Sequence, residues 1–216
     1  MKVTKAEGSE GATYSEIDLE LPDGTTPVVR RRIEKDVGDF LVEQVLNSTA
    51  DAHSPVAGER FPSLSKSYAK EKKLEGGSGK PDLTLHGDMM EALDARPTGD
   101  GKLDLGFFGD QAWKADGHLK FSGAENGIPR RRFLPGEGQH FTSEIESEVE
   151  KIIADGLVEG GAIDPSSLEG VSSAEELYSV LRGIFPDLAK AEIRAAILRS
   201  SALSEMLDEL ELLDFL

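Results

Sequence analysis

The stretch Ile128-Pro129-Arg130-Arg131-Arg132-Phe133-Leu134-Pro135 constrains the fold more than any other part of the chain. Pro129 and Pro135 each lack a backbone donor and fix φ, so the run cannot lie inside a helix. Glycines flank it on both sides, Gly123 and Gly127 before and Gly136 and Gly138 after. The segment is therefore expected to be extended, with Phe133 and Leu134 docked on a core and the three arginines reaching outward. Placed so, it forms a hinge between a compact body and the helix that follows.

Those arginines stand out because the chain is acidic, with a formal net charge of −17 over 216 residues. Residues 1–155 hold 20 Lys and Arg against 29 Asp and Glu, a balance of −9; residues 156–216 hold 4 against 12, a balance of −8. The tail is thus much denser in negative charge than the body. Such a surface repels nucleic-acid backbone and favours a basic protein partner, and DNA wrapping along the whole chain is disfavoured. Cysteine is absent, which excludes disulfides and thiolate metal sites. No apolar run approaches the length of a membrane span, and the first residues do not resemble a signal segment. A soluble protein made in a cytoplasm is expected.

Periodicity supplies the elements. Residues 1–13 are polar and read as a loose N-terminal arm. Tyr14 to Leu21 alternates, with Ile17, Leu19 and Leu21 opposite Glu16, Asp18 and Glu20, which is the period of a half-buried strand. Pro22-Asp23-Gly24 turns the chain. A core helix begins near Pro27, places Ile33, Val37, Phe40, Leu41, Gln44 and Val45 on one face, and ends at Asn47-Ser48-Thr49. A short helix is expected over 63–73, presenting Leu64 and Tyr68, then a flexible break over 75–81. Leu83-Thr84-Leu85 is strand-like, and 87–93 reads as a brief helix with Met89, Met90 and Leu93 inward. Lys102 to Gly109 alternates as a second strand, and 114–121 as a further strand or helical turn. Phe141 to Asp155 is an amphipathic helix striped by Phe141, Ile145, Val149, Ile152 and Ile153. Residues 156–170 read as a linker. The small helical segment 171–216 shows three patterns, at 172–181, 188–199 and 203–213, the first with capping-box spacing.

The fold class is therefore α+β: a small antiparallel sheet packed by two main helices, with a body over 14–155 and an extra helical C-terminal segment.

No catalytic constellation emerges. His53, His86, His118 and His140 lack ligand spacing. Ser63-Leu64-Ser65-Lys66 matches the S-x-x-K pattern, but no Ser-Asp-Asn or Lys-Thr-Gly element follows. Gly79-Lys80 ends like a phosphate-binding loop, yet Pro81 and Leu74 occupy positions that need Ser or Thr and Gly. No cofactor or metal is implied. Two arginine triplets, Arg30-Arg31-Arg32 and Arg130-Arg131-Arg132, remain. They suit bidentate pairing with carboxylates of a neighbouring subunit, contact with DNA, or plain solvation.

The order of motifs resembles the virion morphogenesis proteins of tailed phages, the neck or tail-completion family. A helix leads to Ser54-Pro55, then to Leu64-Ser65 with Tyr68 and Lys72, then to Leu83-Thr84-Leu85 with Gly87-Asp88-Met89. A strand pair, a His-containing step (His118 to Gly123) and Pro129-Arg130-Arg131-Arg132-Phe133-Leu134 follow, before a helix. The resemblance covers residues 30–155, and His86 departs from the threonine usual before the glycine. It implies that Gly87, Met89, Arg131, Phe133 and Leu134 are structural positions, with Arg130 and Arg132 beside them as subunit-interface candidates. It also implies a non-enzymatic subunit that forms a ring with copies of itself. That ring would join the portal and adaptor proteins of the head to the tail tube or its terminator. Genomic DNA would meet it only in passing through the lumen, and no membrane would be involved. An assembly factor that grips DNA with the arginine triplets is the alternative.

Overall fold

A computed structural model describes residues 1–9, 11–83, 88–123, 127–160, 171, 173–184 and 207–208. Its centre is a four-stranded antiparallel sheet in the order β1-β2-β4-β3. The strands are β1 (Lys2–Gly8), β2 (Ala12–Asp18), β3 (Leu93–Pro97) and β4 (Lys102–Phe108). Six helices accompany them among the described residues: α1 (Pro27–Ala50), α2 (Lys66–Leu74), α3 (Asp88–Glu91), α4 (Ala112–Leu119), α5 (Ser143–Glu159) and α6 (Ala174–Ile184). The α+β expectation is met.

The long helix α1 starts where the sequence says it should. Thr26 caps it by accepting the Val29 N–H, and Pro27 occupies the first turn, where its missing donor costs nothing. Its inner stripe of Ile33, Val37, Leu41 and Val45 is wholly buried, and the helix packs on both the sheet and α5. The helix ends at Ala50, next to the expected Asn47-Ser48-Thr49, and the Thr49 hydroxyl donates back to the Val45 carbonyl at 2.7 Å. α5 packs along α1. It continues through Gly156 to Glu159, so the linker expected from residue 156 does not begin there. A Cβ at Gly156 would come within 2.6 Å of Ile33, so this glycine allows close helix packing instead of ending the helix. Residues 161–170 lie outside the described part.

Two edge strands depart from expectation. The arm foreseen over 1–13 contains β1, which pairs with β2 from Lys2↔Asp18 to Gly8↔Thr13. Its polarity hid it, since Val3 is its one fully inward side chain. β3 occupies residues where no strand was expected; α3 is only four residues of the helix expected over 87–93, and Leu93 opens a strand that stops at Pro97. β2 ends at Asp18 rather than Leu21, because Glu20 takes a left-handed φ of 54°. Of the strand or helical turn expected over 114–121, the chain forms a helix, α4.

The sheet carries its core on one face. Ile17, Leu103, Leu105 and Phe107 are fully buried there beside two polar residues, Thr13 and Ser15. On the opposite face Tyr14 stacks on Phe108, and Arg96 lies over the Phe108 ring at 3.6 Å. The β3–β4 turn is held from α1: buried Glu34 accepts the N–H groups of Gly99 (2.8 Å) and Gly101 (2.6 Å). The first tail pattern is α6, with Leu177 and Leu181 buried. The second lies outside the described residues, and so does the third apart from Leu207 and Asp208.

Candidate functional site

The proline–arginine segment is sewn to the body along its length, so it is a strap rather than a hinge. The Arg131 N–H donates to the His118 carbonyl at 2.9 Å, tying the strap to α4. The Ser54 hydroxyl donates to the Arg132 carbonyl, and the Ser15 hydroxyl donates to that of Pro135 at 2.6 Å. Further along, the Gly138 N–H reaches the Val3 carbonyl at 3.3 Å. Val56 and Phe141 form an isolated bridge beside the strap, flanked by Ala57 N–H to His140 and Thr142 N–H to Pro55, both at 2.9 Å. Hydrogen bonds to α4, to β1 and β2 and to the loop at Ser54 thus fasten the segment's backbone to the body.

Phe133 and Leu134 anchor it as expected, both fully buried. The Phe133 ring meets Phe107 of β4 edge to face, with centroids 5.7 Å apart, in the arrangement favoured by the ring quadrupoles.

The arginines do not all reach outward. Only Arg130 is exposed, and it pairs with Glu59 at 3.0 Å. Glu59 also accepts from Gln139 Nε2 (3.2 Å), whose own Oε1 takes the Gly136 N–H (2.8 Å), so one carboxylate fixes both ends of the strap. Arg131 is 5% exposed and its Nη1 makes a long contact of 3.5 Å with the Pro129 carbonyl. Arg132 is half-buried, its guanidinium 4.9 Å from the Phe121 ring centre. Extended backbone alternates its side chains, so Arg131 must face opposite to its neighbours; a triplet cannot point one way.

Around the strap several nitrogens are buried without hydrogen-bond partners: Arg131 Nε, Arg132 Nε and Nη1, and His118 Nδ1. Burial pulls both guanidiniums below their ordinary values; Tyr68 opposes this at Arg131, whereas Arg130 reinforces it at Arg132. His118 is pushed down to about 4, first by burial and then by the charges of Arg131 and Lys120, with the Pro129 carbonyl acting the other way. His118 is therefore a neutral imidazole held under cations.

The other residues that the resemblance singles out also have framework positions. Ser65 caps α2 by accepting the Tyr68 N–H at 3.2 Å. Lys72 is 3% exposed; it pairs with buried Asp82 and donates to the Lys80 carbonyl at 2.9 Å, while the Ser78 hydroxyl also donates to Asp82. This clamp folds the loop after α2, expected to be a flexible break, back onto the helix. Met89 is buried on α3. Gly87, with Thr84, Leu85 and His86, lies outside the described residues.

The first arginine triplet is dispersed around α1. Arg30 donates to the Thr25 carbonyl at 3.3 Å, Arg32 pairs with Glu159 and Asp36, and Arg31 is exposed. The three described histidines have separate surroundings: His118 sits beneath the strap, His140 bonds Glu146 at 3.2 Å, and His53 is exposed. Among the described residues, no group of three or more His, Asp and Glu is arranged to hold a metal ion. Glu34 and Glu59 had no sequence signal, because each answers to groups 65 to 80 residues away in the chain, and Asp82 answers to Lys72 10 residues back across a loop. No family model, curated protein or solved structure matches the chain. Among the described residues no helix is long and apolar enough to cross a membrane.

Proposed function

We propose that the chain is a non-enzymatic structural subunit of a tailed-phage neck, assembling into a ring that joins the DNA-filled head to the tail. What carries this reading is the strap. The residues picked out by the resemblance, Arg131, Phe133 and Leu134, are buried at the junction of β4, α4 and the loop before α2. That is where a family motif belongs if it preserves a shape rather than a reaction. Portal and adaptor proteins would lie on one side of the ring and the tail tube or its terminator on the other. Assembly would take place in the host cytoplasm, with no cofactor.

DNA gripping by the arginine triplets is the weaker alternative. Arg131 is buried, while Arg32 and Arg130 already face carboxylates, so few of the six guanidiniums are left to neutralise phosphates.

Electron microscopy of the purified protein, alone and mixed with tail tubes or DNA-filled heads, tests the assignment. Rings that cap tubes or sit on the head vertex are expected. A protein that never caps tubes or joins heads sinks the neck assignment.

A further inference from the structure

The helix α2 combines three properties found nowhere else together among the described residues. It is cationic: residues 60–80 contain Arg60, Lys66, Lys70, Lys72, Lys73 and Lys80 against only Glu71 and Glu75, a balance of +4 in a chain of −17. The charges of its outer face are unpaired among the described residues. Lys66, Lys70 and Lys73 recur at intervals of four and three, so they share one side of the helix; all three are exposed and have no carboxylate within salt-bridge distance among the described residues. Leu74, at the edge of that side, is 80% exposed.

The third property is rigid placement. A solvated lysine helix needs no fixed orientation, yet α2 is capped by Ser65 and fastened by the buried Lys72–Asp82 pair. Burying an ion pair contributes little net stability, but it selects one geometry over others. The only buried residue of α2 is Lys72 itself, so the clamp presents the helix rather than serving a core.

We infer that the outer face of α2 is a docking surface for an acidic surface of a second copy of this chain. The argument for the occupant is charge: every copy brings a large carboxylate excess, while α2 is a cationic projection on that anionic background. The contact joins two different patches, so it is head-to-tail and closes into a ring when the rotation permits. It therefore rests on the ring reading above and names the contact that forms the ring.

The test uses the full-length protein. Self-association is measured by analytical ultracentrifugation at low and high salt for wild type and for the K66E/K70E/K73E variant, with thermal unfolding as a check on folding. Zero-length amine–carboxyl crosslinking of mixed light- and heavy-isotope copies then identifies which peptides meet. Wild type should associate, and more weakly at high salt. The variant should lose association at least tenfold while unfolding at the same temperature, and crosslinks should join the 66–73 peptide of one copy to an acidic peptide of the other. Should the triple reversal unfold the protein, the charge-neutral K66Q/K70Q/K73Q variant carries the same expectation in smaller measure. Association that survives loss of the lysines overturns the docking surface and leaves the ring standing. Crosslinks from the 66–73 peptide confined to single copies overturn it as well. Binding of a labelled duplex that disappears in the variant while self-association is unchanged assigns the face to nucleic acid instead. A wild type that stays monomeric at every concentration removes both the docking surface and the ring.

Discussion

Two cationic regions of the molecule have opposite fates. The strap 128–135 and the helix α2 both interrupt an acidic chain with a cluster of positive charge. In the strap the charge is drawn inward: Arg131 is buried, Arg132 lies over Phe121 and Arg130 is held by Glu59. In α2 one lysine is drawn in to make a clamp, and three are left facing solvent. Positive charge in sequence is therefore no guide to a binding surface until burial is known. The strap uses guanidiniums as framework, and α2 uses a buried ammonium to fix the helix that presents the others.

If the strap is framework, removing its anchor should cost most. Phe133→Ala takes a fully buried ring from beside Phe107 and should destabilise the fold by about 3–5 kcal/mol, read as a drop in the urea midpoint with little change in slope. A loss below about 1 kcal/mol would mean the strap can lift away, as a hinge would. On the α2 side the largest effect belongs to the clamp. Lys72→Met leaves Asp82 buried beside an apolar chain and should cost roughly 3 kcal/mol, whereas Lys72→Met with Asp82→Leu should recover most of that. A double variant as unstable as the single one would show that the clamp holds by more than its charge pair.

The comparison also explains what could be read from the chain beforehand. α1 and α5 were legible because five or more apolar residues recur at helical spacing, as Ile33, Val37, Leu41 and Val45 do. β4 was legible because Leu103, Leu105 and Phe107 alternate on a buried face. The edge strands were not, since β1 places only Val3 fully inside and β3 ends on Pro97; what makes them strands is pairing with β2 and β4, which no local pattern records. The strap was located by its prolines, but the direction of its arginines depends on Glu59, His118 and Phe121, all distant in sequence. Buried Thr13 and Ser15 broke the hydrophobic alternation of β2 for the same reason: their hydroxyls serve the Ala112 and Pro135 carbonyls.

A smaller effect should appear on acidification. His118 has a folded pKa of about 4 against an ordinary 6.5, because burial and the Arg131 and Lys120 charges disfavour its cation. The unfolded chain therefore binds more protons across that interval, and stability falls as pH drops from about 6.5 towards 4. The full contribution is roughly 3–4 kcal/mol, complete only once pH is below the folded value. Carboxylates also titrate near the lower end, so the comparison must be with His118→Gln, whose stability should stay flatter between pH 6.5 and 5. Parallel pH curves for the two proteins would show that His118 is not held neutral under the strap.

The smallest expected effect is the sharpest separation of the two regions. Lys66→Gln, Lys70→Gln and Lys73→Gln each remove an exposed charge that has no ion-pair partner among the described residues, so each should change stability by no more than about 0.5 kcal/mol. The removal of each cation from a cluster of like charges should even offset part of the lost helix propensity. Arg131→Gln is the matched control in the strap: it alters a charge of the same sign at a 5% exposed site and should cost several times more. Equal losses at both places would mean that the α2 lysines are framework too. A flat response at α2 with a steep one at Arg131 would leave those lysines free of any duty within the fold, which is the condition for a surface kept for contact with another molecule.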